Sequence, residues 1–105
     1  MSAPSDPFAN LQAESAQHRL NFIKTELALC FTFSIIAARK YDTGSQEFAA
    51  ESMANAERAY ETVIQFLSDP KHSKHLTVEE SQDITAELER LRERLDRLQR
   101  FREAK

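Results

Sequence analysis

Glycine occurs once in this chain, proline three times, cysteine once and tryptophan not at all. Each scarcity excludes something. A phosphate-cradling loop needs several glycines for close backbone approach, and Gly44 stands alone. Few glycines and prolines also argue against a multi-stranded β architecture with many tight turns. The single Cys30 forms no internal disulfide and no paired-cysteine zinc site, and it suits a reducing, cytoplasmic setting. The first seven residues, Met-Ser-Ala-Pro-Ser-Asp-Pro, lack the basic region of a secretory signal. The most apolar run, residues 27–38, is twelve residues long. A bilayer core needs about 20 residues, so no membrane span is expected and the run reads as a buried helix segment.

What remains is a chain of 105 residues, 41% hydrophobic and 30% charged, with a net charge of −3. Those proportions predict one soluble helical domain over residues 1–105. The charge is uneven. Residues 42–69 carry Arg58 against Asp42, Glu47, Glu51, Glu57, Glu61 and Asp69, whereas residues 87–105 are mildly basic. An acidic middle beside a basic tail favours their apposition. No segment is basic enough for a nucleic-acid footprint, so no nucleic-acid partner is expected.

Ser5-Asp6-Pro7 starts a helix: Asp6 caps free amides and Pro7 suits the first turn. Apolar or small residues then recur at Leu20, Ile23, Leu27, Cys30, Ser34, Ala38 and Tyr41, the three-four spacing of one helix face. A second stripe, Phe22, Leu29, Phe33 and Ile36, widens that face and implies two neighbours. Gly44 ends the helix and Ser45 is placed to cap the next. Pro70 breaks the chain again, and Thr77-Val78-Glu79-Glu80 matches a capping box. A seam of Ile84, Leu88, Leu91, Leu95 and Leu98 follows, flanked by the four-apart pairs Glu93–Arg97 and Asp96–Arg100. The predicted helices span about residues 7–41, 46–67 and 78–103. The expected fold is all-α: an up-down-up antiparallel three-helix bundle with an overlong first helix. That helix is about 50 Å long, so its first turns, with Phe8 and Leu11, overhang the others.

Phe33, Ile36, Ala37, Tyr41, Gly44, Ala49, Met53 and Ala56 fall where a tetratricopeptide-repeat hairpin has its aromatic, small and large positions. Residues 30–60 therefore resemble one such repeat, less than a third of the chain. The resemblance implies peptide or partner binding on a helical face. The repeat's usual proline falls near Glu61 instead, and no second copy follows.

Catalytic constellations are sparse. No Glu precedes a His by three residues, which excludes the paired di-iron signature. His72 and His75 form H-x-x-H in a connection where Lys71 and Lys74 repel a cation. Glu14 and His18 share a helix turn but read as surface residues. Cys30 and His18 lie about 18 Å apart along one helix and cannot meet. The expectation is therefore a non-enzymatic protein–protein interaction module, a small subunit, adaptor or chaperone-like protein, without cofactor or metal, assembling as a homodimer. Its candidate partner surface is Phe8, Leu11, Leu88, Leu91, Leu95 and Leu98. The alternative is a sensor or carrier that holds an apolar small molecule among Phe33, Phe48, Tyr60 and Phe66.

Overall fold

The computed structural model describes the backbone of residues 7–103 and the side chains of residues 15–100. The described chain is 91% helix with no strand. Four helices follow in order: α1 (Pro7–Asp42), α2 (Gln46–Ser68), α3 (Pro70–Ser73) and α4 (Val78–Glu103). The molecule is a rod of 67 × 20 × 20 Å. The capping role expected of Asp6, and the side chains of Phe8 and Leu11, lie outside the described residues.

The α1–α2 turn is made by backbone groups. Gly44 adopts φ +80. The Ser45 N–H donates to the Lys40 carbonyl at 2.8 Å and the Gly44 N–H to the Tyr41 carbonyl at 3.2 Å. This pairing satisfies the last carbonyls of α1 and requires the left-handed residue that glycine supplies. Ser45 makes no side-chain cap, contrary to expectation. Its carbonyl instead accepts from the Ala49 N–H at 2.9 Å.

The second connection, expected to be a loop, holds a short helix. Pro70 keeps Asp69 extended, at ψ 117, and the Asp69 carboxylate accepts from the Lys71 N–H at 2.9 Å. Proline at the first helical position loses no bond, so one cap suffices for the single turn of α3. The capping box then opens α4: Thr77 Oγ1 accepts from the Glu80 N–H at 3.0 Å, and the Glu80 carboxylate accepts from the Thr77 N–H at 2.9 Å.

The core is one stripe from each long helix: Ile23, Leu27, Cys30, Ala37 and Tyr41 of α1, Ala49, Met53, Ala56, Ala59 and Val63 of α2, and Ile84, Leu88, Leu91 and Leu95 of α4. The alanines of α2 let α1 approach closely. Helix α4 packs against both partners. Arg92 ties it to α2 by two bonds to the Glu57 carboxylate, at 2.9 and 2.7 Å, with its guanidinium 4.9 Å from the Tyr60 ring. Ala37 rather than Ala38 completes the buried stripe of α1, and Ala38 is half-buried beside α4.

Candidate docking surface on α1 and α4

The buried stripe of α1 has an unusual reverse side. No charged residue occurs between Leu27 and Ala38, so whatever faces water there is apolar or a hydroxyl. Ala28, Leu29, Phe31 and Thr32 are exposed, and Ile35, Ile36 and Ala38 half-buried. Phe22, Leu29 and Phe31 retain 40%, 39% and 45% of their accessible surface. This surface has two sides. On the α2 side, Leu29 and Phe33 line a surface groove with Asn55, Arg58 and Thr62. On the α4 side three hollows adjoin through shared lining residues and together form a groove: one at Lys24, Ala28 and Glu87, one at Phe31 and Arg94, and one at Ala38, Asp42 and Leu98.

Arg94 stands in the middle of the second groove. Its Nε donates to Ser34 Oγ at 2.6 Å, and that hydroxyl donates to the Phe31 carbonyl at 2.6 Å. Ser34 is fully buried, so its acceptor lone pair needs a partner from within the protein, and Arg94 supplies one. The guanidinium lies 5.3 Å from the centre of the Phe31 ring. Its neighbours on α4 are already paired, Arg90 with Glu87 and Arg97 with Glu93. No described carboxylate lies within 4.0 Å of Arg94, and Asp42 lines the same groove beyond that distance. Arg94 is thus held by Nε and by a ring face, with its two terminal amino groups free of an internal carboxylate.

Much of the expected surface is corrected. Leu88, Leu91 and Leu95 are buried within the chain, because α1 and α2 together cover the seam of α4. Leu98 is half-buried and borders the Arg94 groove. The four rings expected to line a pocket point to separate places. Phe48 is 60% exposed with the Lys40 ammonium 5.7 Å from its ring. Tyr60 lies beneath Arg92, and Phe66 stacks between Phe22 at 5.0 Å and His72 at 3.9 Å. Phe33 borders a groove on the far side of α1 from Arg94. Successive helix positions turn by about 100°, so rings at these spacings leave their helices in different directions.

His72 is engaged within the chain. Its Nδ1 accepts from Arg19 Nε at 3.2 Å and its ring is stacked on Phe66 at 8°. Among the described residues no three His, Cys, Asp or Glu side chains cluster as metal ligands would. Burial, reinforced by Glu57, pushes the Cys30 thiol up to about 11, the reverse of what a nucleophile requires.

Sequence reasoning counted Phe31 only among the rings that could line an apolar pocket and missed its pairing with Arg94. Phe31 falls on neither apolar stripe, and that off-stripe position was the available signal. Ser34 was a second signal: a hydroxyl within a buried stripe must find a partner. Ser15–Asp42 as a whole is long and apolar enough to cross a membrane, with a mean hydropathy of 1.5 over its most apolar window and 28% of that window buried. The twelve-residue count understates this property because it stops at the charges of Glu26 and Arg39. The core helix of a soluble protein carries the same signature.

No protein-family model, curated protein or solved structure matches this chain. The tetratricopeptide-like spacing gains no support from those comparisons. In the structure its small and large positions are the close contacts of the α1–α2 hairpin: Ala37, Tyr41, Ala49, Met53 and Ala56 are buried, Phe33 and Ile36 half-buried.

Proposed function

We propose that this chain is a non-enzymatic protein-interaction module, an up-down-up helical bundle of the cytoplasm that works through the outward side of α1. One observation carries the reading. From Leu27 to Ala38 the helix spends no charged residue on its water-facing side and leaves Leu29 and Phe31 exposed. Contiguous apolar surface of this kind marks contact sites, whereas single exposed apolar residues are ordinary.

Self-association uses the α2 side of that surface, around Phe22 and Leu29. A two-fold contact places the same patch on both copies, and the charges that border it, Glu26 and Arg58, are of opposite sign. Light scattering over a dilution series tests this. The expected result is a mass above 12.1 kDa at high micromolar concentration, falling to the monomer on dilution. Leu29→Glu makes the protein monomeric at every concentration. A wild-type monomer throughout the series removes self-association. Co-flotation with phosphatidylcholine vesicles, lost in Leu29→Glu, replaces protein contact with lipid docking.

A further inference from the structure

We infer that the groove between α1 and α4 is a docking site for an acidic amphipathic helix of a partner protein, with Arg94 receiving a carboxylate of that helix. The inference rests on the reading of α1 as an interaction surface and names the occupant of its α4 side.

Three features define the occupant. The first is shape. Taken end to end, the three adjoining hollows follow α1 from Lys24 to Asp42, about 27 Å at 1.5 Å per residue, between two helices. A helix of about 18 residues laid there packs against both walls. The second is its floor. Phe31 and Ala38 of α1 and Leu98 of α4 line it with accessible apolar surface, so the docking helix must present an apolar stripe. The third is charge. Arg90 and Arg97 are neutralised by Glu87 and Glu93, whereas Arg94 has no described carboxylate within 4.0 Å. Burying that guanidinium beneath an apolar helix without a counter-ion costs more than the contact returns. A carboxylate on the incoming helix removes the penalty and takes a two-pronged bond from the terminal amino groups.

The guanidinium is also prepared for this. The Ser34 hydroxyl holds Nε, and the Phe31 ring supports one face. Little side-chain freedom remains to be lost on binding, which is where long charged residues usually surrender affinity. An arginine fixed beside a half-exposed aromatic ring matches the composition of binding hot spots.

A second copy of the chain fits less well. The outward strip of its α1 has no carboxylate between Leu27 and Ala38. Its acidic α2 exposes Glu47, Glu51 and Glu61, but Phe48 is the one large apolar residue exposed with them. The groove therefore calls for a different chain that combines both properties.

The test is selection from a phage-displayed library of amphipathic helices about 18 residues long, matched to the groove length. Enriched sequences are synthesised and their affinities measured by fluorescence anisotropy. The expected result is enrichment of Asp or Glu at one position beside the apolar stripe. Replacing that acid by its amide weakens binding at least tenfold, and Arg94→Met weakens the acidic peptide equally but leaves the amide peptide unchanged. Ala38→Glu, which fills the groove floor and sets a carboxylate beside Arg94, abolishes binding of both. Circular dichroism verifies that each variant keeps its helices. Leu29→Glu binds the peptide as wild type does, which separates this groove from the self-association face. The inference is overturned if no helix is enriched, if the enriched helices lack the acid, or if Arg94→Met binds them undiminished. It is equally overturned if Arg94→Met or Ala38→Glu dissociates a dimer of the chain, since the groove's occupant is then a second copy.

Discussion

Cys30 provides the most quantitative handle on this fold. It is fully buried between α1 and its neighbours, and burial together with the Glu57 charge raises its thiol to about 11 from an ordinary value of 9.0. At pH 8 that shift leaves roughly a hundredfold less thiolate, since each unit is a factor of ten. The more basic thiolate is the better nucleophile, which returns about a factor of ten. Ionisation alone thus slows attack on a disulfide reagent about tenfold. Access has the larger effect. The reagent reaches sulfur only when the helices open, and an opening that costs about 3 kcal/mol gives a factor of about 150. In that open state the thiol is solvated and regains its ordinary value, so the two factors do not multiply, and the native thiol should react with an aromatic disulfide about a hundredfold or more slowly than the same thiol in concentrated urea. Stopped-flow absorbance in both conditions measures the ratio. A native rate within tenfold of the unfolded rate refutes the placement of Cys30 in the core. The same shift sets a pH dependence. The folded state keeps the proton longer than the unfolded chain, so the contribution is complete below about pH 9 and disappears as pH rises through about 11. Its upper bound is about 3 kcal/mol, at 1.36 kcal/mol per unit. Between those limits wild type should lose stability more steeply than Cys30→Ala.

Three further substitutions probe the frame. Arg92 and Glu57 should couple by about 1 kcal/mol in a double-mutant cycle of Arg92→Met and Glu57→Gln, since the pair is bidentate but about a third exposed. Coupling indistinguishable from zero in urea titrations would show that α4 is seated without it. Gly44→Ala should cost about 1–2 kcal/mol through backbone conformation alone, because φ is +80 while an added Cβ meets nothing within 4 Å. A neutral result in thermal unfolding would mean the turn adopts another conformation. Thr77→Ala should remove about 1 kcal/mol by leaving the Glu80 N–H without its cap, and Thr77→Ser should restore most of it.

Local chemistry explains which features were legible in advance. Pro7, Gly44, Pro70 and the Thr77–Glu80 box act within a few residues of themselves, and the structure places helix ends at each of them. The four-apart pair Glu93–Arg97 is present at 3.8 Å, also a local matter. Asp96 shows where locality stops. Its spacing suits Arg100, yet it pairs with Arg92 at 3.0 Å, because Glu57 of another helix already holds that guanidinium nearby. Likewise the leucine spacing of α4 marked an apolar seam without saying which chain would cover it. Coverage depends on the angle and height at which α4 meets α1 and α2, and no single helix carries that information.

Residue order alone is enough to read this chain as helical, to place the ends of its long helices, and to assign Cys30 and the leucine seam to apolar faces. These follow from periodicity, capping and side-chain composition, all of which act within one helix. Tertiary structure alone decided which apolar residues remain outside. Leu27 and Phe31 are one helical turn apart and equally apolar, but α2 and α4 close over Leu27 and leave Phe31 at the groove between α1 and α4. It also joined Ser34 to Arg94, sixty residues away, through a buried hydroxyl that had to be satisfied. A site assembled from two helices exists only once their relative position is set, and that position depends on how their side chains pack together.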